Sequence, residues 1–500
     1  LLLTRDGYDS RSLHTTRRAM KFKLEPYQWQ HKALAMSDEQ TNMALLADMG
    51  TGKTGAMVNI LRRRYGEKGR LMRTLILSPL VTLFNWKDEF DKHSYINPQN
   101  IHVMYGGTAK KEKIFHRAND FDPNQIMLMN YEGMISPKML KLIDDWKPEI
   151  VVLDESHYCK NHKTKRSKNI FAVRQHAEFC YIMTGTPMTN DIPDLFMQYK
   201  ILDGGETFGT NFYVFQRKFM VDANSAWAHQ QNHFPKWVAR PDKMEEINGL
   251  VYSKAIRVTK DETLDLPPLR ELTYKVPLSA KQQKYYKEME RDFLVFVEEG
   301  EKKGIAVAQL AVTKALRLQQ IVTGFVVDED KNVIEIEDNP RLSALKELIS
   351  SLHVNHKVIV WCSFIHNYKQ IGAMLEKLGV KHNFIVGGMS LPEKRDAMEA
   401  FNKDDETRVI VCNRKAGGIG INLVAADYSI VYSRNFSLEE ELQSRDRNYR
   451  GGSEIHDEIT RINLVAADTV DERTTEALLA KKKVSDNILH YVKGVENDRK

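Results

Sequence analysis

Cysteine is scarce in this chain. Cys159, Cys180, Cys362 and Cys412 are the only ones in 500 residues, and none stands in a C-x-x-C pair. Neither a zinc ribbon nor a dithiol redox motif fits that spacing, so isolated buried thiols in a reducing compartment are expected. Long apolar runs are lacking as well. None approaches the ~18 residues that cross a bilayer, and no membrane partner is expected. The opening LLLTRDGYDS has no apolar core of a secretion signal. Met20 opens MKFKLEPYQ, so residues 1–19 are set apart as an N-terminal extension outside the fold. There is no cluster of metal-ligand type around His353 and His356, which are expected to be solvated.

Charge of one sign is not in large excess. Lys and Arg total 73 against 67 Asp and Glu, a formal +6 with a pI near 8.8. Local clustering says more. KNHKTKRSKN (160–169) holds five cations and no acid. Such a run is either a solvated face or a loop that contacts phosphates, where each neutralised phosphate releases condensed counterions.

A true repeat is also missing. INLVAAD occurs at 421–427 and again at 462–468, but the flanks disagree and there is no third copy. A stacked array needs at least three copies at one period. Around the first copy Ile419, Leu423 and Ala426 fall at helical spacing, which predicts a helix. In the second, Thr460, Ile462 and Leu464 alternate with Arg461 and Asn463, which predicts a strand.

The remaining pattern is strands alternating with helices, the mark of parallel sheets covered on both faces. The first set is TNMALLAD, RTLILSPL, QIMLMNYE, PEIVVLDE and FCYIMTGTP. The second is HKVIVWCSF, KHNFIVGG, TRVIVCNRK, YSIVYSR and EITRINLV. The fold class is therefore α/β, two parallel-sheet lobes at 20–200 and 336–500. Between them, 201–335 is dominated by helical patterns such as SAKQQKYYKEMERDFLVFVEEGEKK, broken by the tandem prolines of LDLPPLREL. It is expected to be a helical insertion and linker.

ADMGTGKT (47–54) lies between a predicted strand and a predicted helix, with Ala47 where such loops often have their first glycine. Gly50 and Gly52 let backbone N–H groups approach phosphates, together with Met49 and Thr51. Lys53 supplies charge to the β- and γ-phosphates of ATP, and the Thr54 hydroxyl suits Mg2+. VVLDESH (151–157) ends an apolar run in two acids. Asp154 is the candidate Mg2+ ligand, and Glu155 the group that orients or deprotonates the attacking water.

Together these motifs resemble the superfamily 2 helicases and translocases of SNF2 type. LEPYQWQHKAL (24–34) resembles the motif whose glutamine contacts adenine, here Gln28. LSPLVTLFNW (77–86) and MNYEGM (129–134) resemble motifs Ia and Ib. DESHYCKN (154–161) resembles the D-E-A-H form with Ser156 replacing Ala, and MTGTPMTN (183–190) resembles motif III. NRKAGGIGINLVAAD (413–427) resembles motif V. QSRDRNYRGG (443–452) resembles motif VI, with Gln443, Arg447 and Arg450 in place and Ser453 where a last Gln is usual. IRVTKDETLDLPPLRELTYKVPLSAKQQKYY (256–286) is similar to the segment joining the two lobes in SNF2 members.

The resemblance implies two RecA-like lobes and a monomeric ATP- and Mg2+-dependent motor on DNA. It implies Lys53, Asp154, Glu155, Arg447 and Arg450 as catalytic groups, the two arginines brought across the cleft as charge grows on the phosphoryl oxygens. Asn85, Tyr131, Lys160, Ser363 and Asn422 are the implied nucleic-acid contacts. No histone-reading module is evident, so forked or four-way DNA in replication, recombination or repair is the expected substrate. A cytoplasmic setting is expected, the host's if a phage encodes the chain. An RNA helicase, or a duplex translocase that remodels protein–DNA complexes without separating strands, are the alternatives.

Overall fold

Five-residue runs of Val, Ile, Leu and Met read as strands because a sheet covered on both faces buries every side chain along them. The computed structural model bears this out. It describes residues 21–490 except 81, 121, 186, 189–191, 225–236, 264, 303–306, 329, 331 and 418–420, with backbone alone at 261, 292–302, 307–312 and 483–490. The N-terminal extension, Gly418, Ile419 and Gly420 of the glycine run, and Thr186, Thr189 and Asn190 lie outside the described residues.

The chain divides into two compact units, 1–264 with 483–500, and 265–482. The first unit holds β1 (Asn42–Ala47), β2 (Thr74–Ser78), β3 (Ile101–Met104), β4 (Ile126–Asn130), β5 (Ile150–Asp154) and β6 (Phe179–Met183). They are followed by β7 (Met220–Asp222), β8 (Trp237–Ala239) and β9 (Ala255–Val258). Seven of these form a parallel sheet in the order β3-β4-β2-β5-β6-β1-β9, and β7 and β8 pair as a separate ribbon. Alternate residues of each strand feed two cores. Ala44 and Leu46 join one, and Met43, Leu45 and Ala47 join the other.

In the second unit the strands are β10 (Leu269–Val276), β11 (Phe325–Val327), β12 (Val333–Glu335), β13 (Val358–Cys362) and β14 (His382–Ile385). Then come β15 (Val409–Asn413), β16 (Tyr428–Val431) and β17 (Ile459–Ala466). Six of them form a parallel sheet in the order β10-β17-β16-β13-β15-β14, and β11 and β12 pair as a small hairpin. All ten strand-like runs read from the sequence are present.

The structure corrects two expectations. The segment 201–335 is divided between the units at 264/265, not set apart as one insertion. The reason is hydrogen bonding: β9 pairs with β1 in the first sheet, and β10 pairs with β17 in the second. Its helical parts, Ala280–Lys302 and Val307–Val322, are present.

The second correction concerns the first INLVAAD, which forms no helix at 421–427, while the second copy is largely in β17. The first copy's backbone groups are taken by partners far along the chain. The Leu423 N–H donates to the Arg447 carbonyl (3.0 Å). Asn402 Nδ2 donates to the Asn422 carbonyl (2.8 Å), Asn448 Nδ2 to that of Ala426 (3.1 Å), and the His456 ring bonds that of Val424 (2.7 Å). With these carbonyls engaged, there is no i→i+4 ladder to build.

Candidate functional site

Helix α1 (Gln28–Glu39) enters the fold just ahead of β1, and helix α2 (Lys53–Lys68) leaves the glycine loop that follows β1. Gly52 caps α2 in the left-handed region, at φ 87°. A Cβ there would stand 3.0 Å from Gln30 Nε2 and 3.2 Å from a Tyr27 ring carbon, so glycine is required on both counts. The loop is held from α1: Gln30 Nε2 donates to the Gly52 carbonyl (2.9 Å), and Trp29 Nε1 to that of Thr51 (3.2 Å). Gln28, the candidate adenine contact, is exposed beside them, and Thr54 is half-buried in the first turn of α2.

The sheet order puts the end of β6 between the ends of β1 and β5, so the two acids at the end of β5 and the loop after β1 converge. Lys53 Nζ lies 2.6 Å from Glu155 Oε1, and both side chains are about nine-tenths buried. Burial alone would lower the Lys53 ammonium pKa. The Glu155 and Asp154 carboxylates outweigh it and hold the group above its ordinary value. Glu155 has φ 54°, an unusual conformation for a side-chain-bearing residue and typical of functional sites. Its Oε2 accepts from Thr184 Oγ1 (3.3 Å), directly after β6, and lies 3.5 Å from His157 Nδ1.

Asp154 has one oxygen satisfied and one bare. Its Oδ2 accepts from Ser78 Oγ (2.9 Å) and Trp86 Nε1 (3.0 Å). Its Oδ1 is buried with no hydrogen-bond partner among the described residues. Burial pushes this carboxyl above its usual range, and neighbouring Glu155 adds to the shift against the pull of Lys53. A bare, buried carboxylate oxygen is the kind of ligand Mg2+ takes from protein, and a hydroxyl such as that of Thr54 is another, the rest coming from phosphates and water. The donor set therefore fits Mg2+.

The implied nucleic-acid contacts fare differently. Asn85 is exposed on helix α3 (Leu83–His93). Tyr131 is corrected: it is fully buried, stacks on Tyr158 at 5.2 Å and donates its hydroxyl to the Asp154 carbonyl (2.7 Å). It supports the site from beneath and presents no surface to a nucleic acid. Lys160 is paired with Asp194 at 3.4 Å. Arg166 of the basic run is also turned inward, donating to the Tyr158 carbonyl (2.6 Å). Lys163, Lys165 and Lys168 remain exposed, with no ion pair among the described residues.

In the second unit, helix α4 (Leu438–Arg445) ends before the expected arginine pair, so Arg447 and Arg450 do not share a helix face. Arg447 is buried and donates to the Ile421 carbonyl (3.3 Å), fastening the first INLVAAD. Arg450 is half-buried. Gln443 Nε2 donates to Glu439 (3.0 Å). Ser363, after β13, donates its N–H to the Ser433 hydroxyl (2.8 Å), and Asn422 is exposed. Within α4, Glu441 is held well below the usual carboxylate range: burial would raise it, but Arg414, Arg461 and Arg434 outweigh burial.

Several supporting residues had no assigned role in the sequence. Ser78, Trp86, His157 and Thr184 stand inside recognised motifs, yet their partners lie across the sheet. Arg257 lies in the joining segment 256–286, where nothing in the sequence assigned it a role. It pairs with Asp48 of the loop at 2.8 Å across 209 positions and also donates to the Leu46 carbonyl (2.8 Å).

Residues 27–324 match the SNF2-related domain family, and residues 340–452 match the helicase conserved C-terminal domain. An uncharacterized ATP-dependent helicase of Mycoplasma genitalium is 26% identical over 458 residues, covering 91% of this chain and 41% of its own length. The CHD3-type chromatin-remodeling factor PICKLE of Arabidopsis thaliana is 28% identical over 523 residues, covering 96% of this chain and 35% of its own length. The SWI2/SNF2 ATPase core of Sulfolobus solfataricus in complex with dsDNA aligns over 93% of both chains at 23% identity, with a TM-score of 0.42. The chain spans about a third to two-fifths of the length of these curated relatives.

Proposed function

Because this chain belongs to the SNF2-related domain family, we propose that it hydrolyses ATP and uses the turnover to move along duplex DNA. One observation carries the reading: a buried Lys53–Glu155 pair beside an Asp154 with one bare oxygen, at the start of a helix. A helix N-terminus with glycines at 50 and 52 attracts phosphate. The triphosphate competes with Glu155 for the Lys53 ammonium. Once released, Glu155 takes a proton from the attacking water, with Thr184 and His157 fixing its other oxygen. Asp154 and Thr54 hold Mg2+, which when bound offsets negative charge on the phosphate oxygens. Gln28 is assigned to adenine. Of the two motif VI arginines, half-buried Arg450 is assigned to transition-state charge, and Arg447 to holding the loop that carries Asn422.

On the DNA side, Asn85, Ser363 and Asn422 are the assigned backbone contacts, joined by Lys163, Lys165 and Lys168. Such contacts are largely indifferent to sequence. The substrate we propose is forked or four-way DNA in replication, recombination or repair, met by a monomeric motor. Remodelling of protein–DNA complexes without strand separation is the second reading, favoured by the chromatin-remodeling relative.

The test is ATP hydrolysis and unwinding across single-stranded, duplex, forked and four-way DNA, with duplex RNA alongside. Stimulation by DNA with unwinding of branched forms supports the first reading. Stimulation by plain duplex without unwinding supports the second. Stimulation by RNA alone rejects both. Lys53→Ala should abolish turnover and retain DNA binding; turnover that survives it rejects the site.

A further inference from the structure

A carboxylate that ligates a metal must aim one oxygen outward while something else occupies the other. For Asp154 that something is Ser78 Oγ at 2.9 Å and Trp86 Nε1 at 3.0 Å, both on Oδ2. Oδ1 is left bare and buried. Ser78 closes β2, and its hydroxyl also bonds Thr82 Oγ1 at 2.5 Å, at the cap of α3. Trp86 lies one turn into α3, 1% exposed. Asn85, the residue before it, is exposed on the same helix. One short rigid element thus carries an outward amide and an inward indole N–H that donates to the metal-ligating acid.

We infer that Trp86 and Ser78 are positioning residues that aim Asp154 at the metal, and that α3 links this aim to contact with DNA at Asn85. The inference rests on the ATP-dependent reading above and deepens it. A shift of α3 when a phosphate backbone meets Asn85 moves the indole and therefore the carboxylate. Partners that orient a metal ligand are commonly worth 10–100-fold in metal affinity when removed.

The test uses the full chain and a fluorescent ADP analogue, titrated with Mg2+ and with EDTA, each with and without duplex DNA. The readout is the ratio of affinities with and without the metal. Trp86→Phe keeps a ring and removes the N–H; Ser78→Ala removes the second donor with little volume change. Each should shrink the Mg2+-dependent gain about ten-fold, leave affinity in EDTA unchanged, and remove any further gain caused by DNA. Equal gains in wild type and both variants overturn the inference. A loss in Trp86→Phe without one in Ser78→Ala also overturns it, since repacking of a buried ring would then explain the effect. Absence of any Mg2+-dependent gain in the wild type would instead reject the ATP reading.

Discussion

At the scale of single residues, the site is built from charges that are only balanced in pairs. Lys53 and Glu155 are both buried, 2.6 Å apart, so neither is comfortable without the other. Removing one partner of a buried pair costs about 3 kcal/mol, because the survivor stays desolvated. Lys53→Ala is therefore more than a loss of catalysis. It strands Glu155 next to Asp154, which is itself pushed up by burial and by that same neighbour. We expect Lys53→Ala to destabilise the nucleotide-free first unit by about 3 kcal/mol. Adding Glu155→Gln should restore most of this loss. Denaturant unfolding of both single variants and the double variant measures the coupling. Additive effects would mean that the pair does not act as a unit. Tyr131 teaches the complementary lesson at this scale. Its place in a motif suggested contact with DNA, but a buried phenol with its hydroxyl on the Asp154 carbonyl is part of the floor.

At the scale of elements, the sequence was informative wherever a strand is buried on both faces. The runs ending at Ala47, Ser78, Asn130, Asp154 and Met183 are largely apolar, and hydrophobicity alone marks them. β10 was hidden because six of its eight residues, in LRELTYKV, are exposed, and only its pairing with β17 makes it a strand. The two copies of INLVAAD sharpen the point. One string forms a strand in β17 and an irregular loop at 421–427, since distant partners at Arg447, Asn448 and His456 choose the outcome. The glycine loop and its acids were legible because phosphate chemistry needs those residue types in that order. Their supports were not, because spacing along the chain does not encode contacts across a sheet. Arg257 is the clearest case, and it is testable. Strand β9 runs beside β1, and Arg257 fixes Asp48 at the start of the loop. Arg257→Gln should raise the KM for ATP several-fold with a smaller change in kcat. Asp48→Asn should do the same, and the double variant should be no worse than either single one. Independent, multiplying effects would show that the pair does not position the loop.

At the scale of the whole molecule, a net charge of +6 in 500 residues is too small to bind a polyanion by itself. Affinity for DNA has to come from where the cations stand. The run at 160–169 offers a direct comparison, because its members are structurally unequal. Lys160 is held by Asp194, and Arg166 is committed to the Tyr158 carbonyl. Lys163, Lys165 and Lys168 stand in solvent around the start of the helix Lys165–Arg174. A cation already paired to an acid releases fewer counterions when it meets a phosphate than one that is unpaired. The slope of log affinity against log salt becomes shallower by roughly 0.9 for each phosphate that is no longer neutralised. Duplex binding measured over a series of salt concentrations should therefore lose about that much slope for each of Lys163→Ala, Lys165→Ala and Lys168→Ala. Lys160→Ala should change the slope far less. If all four variants keep the wild-type slope, the run is a solvated face and the duplex lies elsewhere. If Lys160→Ala alone reduces it, the Asp194 pair opens on binding, and the role that family resemblance implies for Lys160 holds after all.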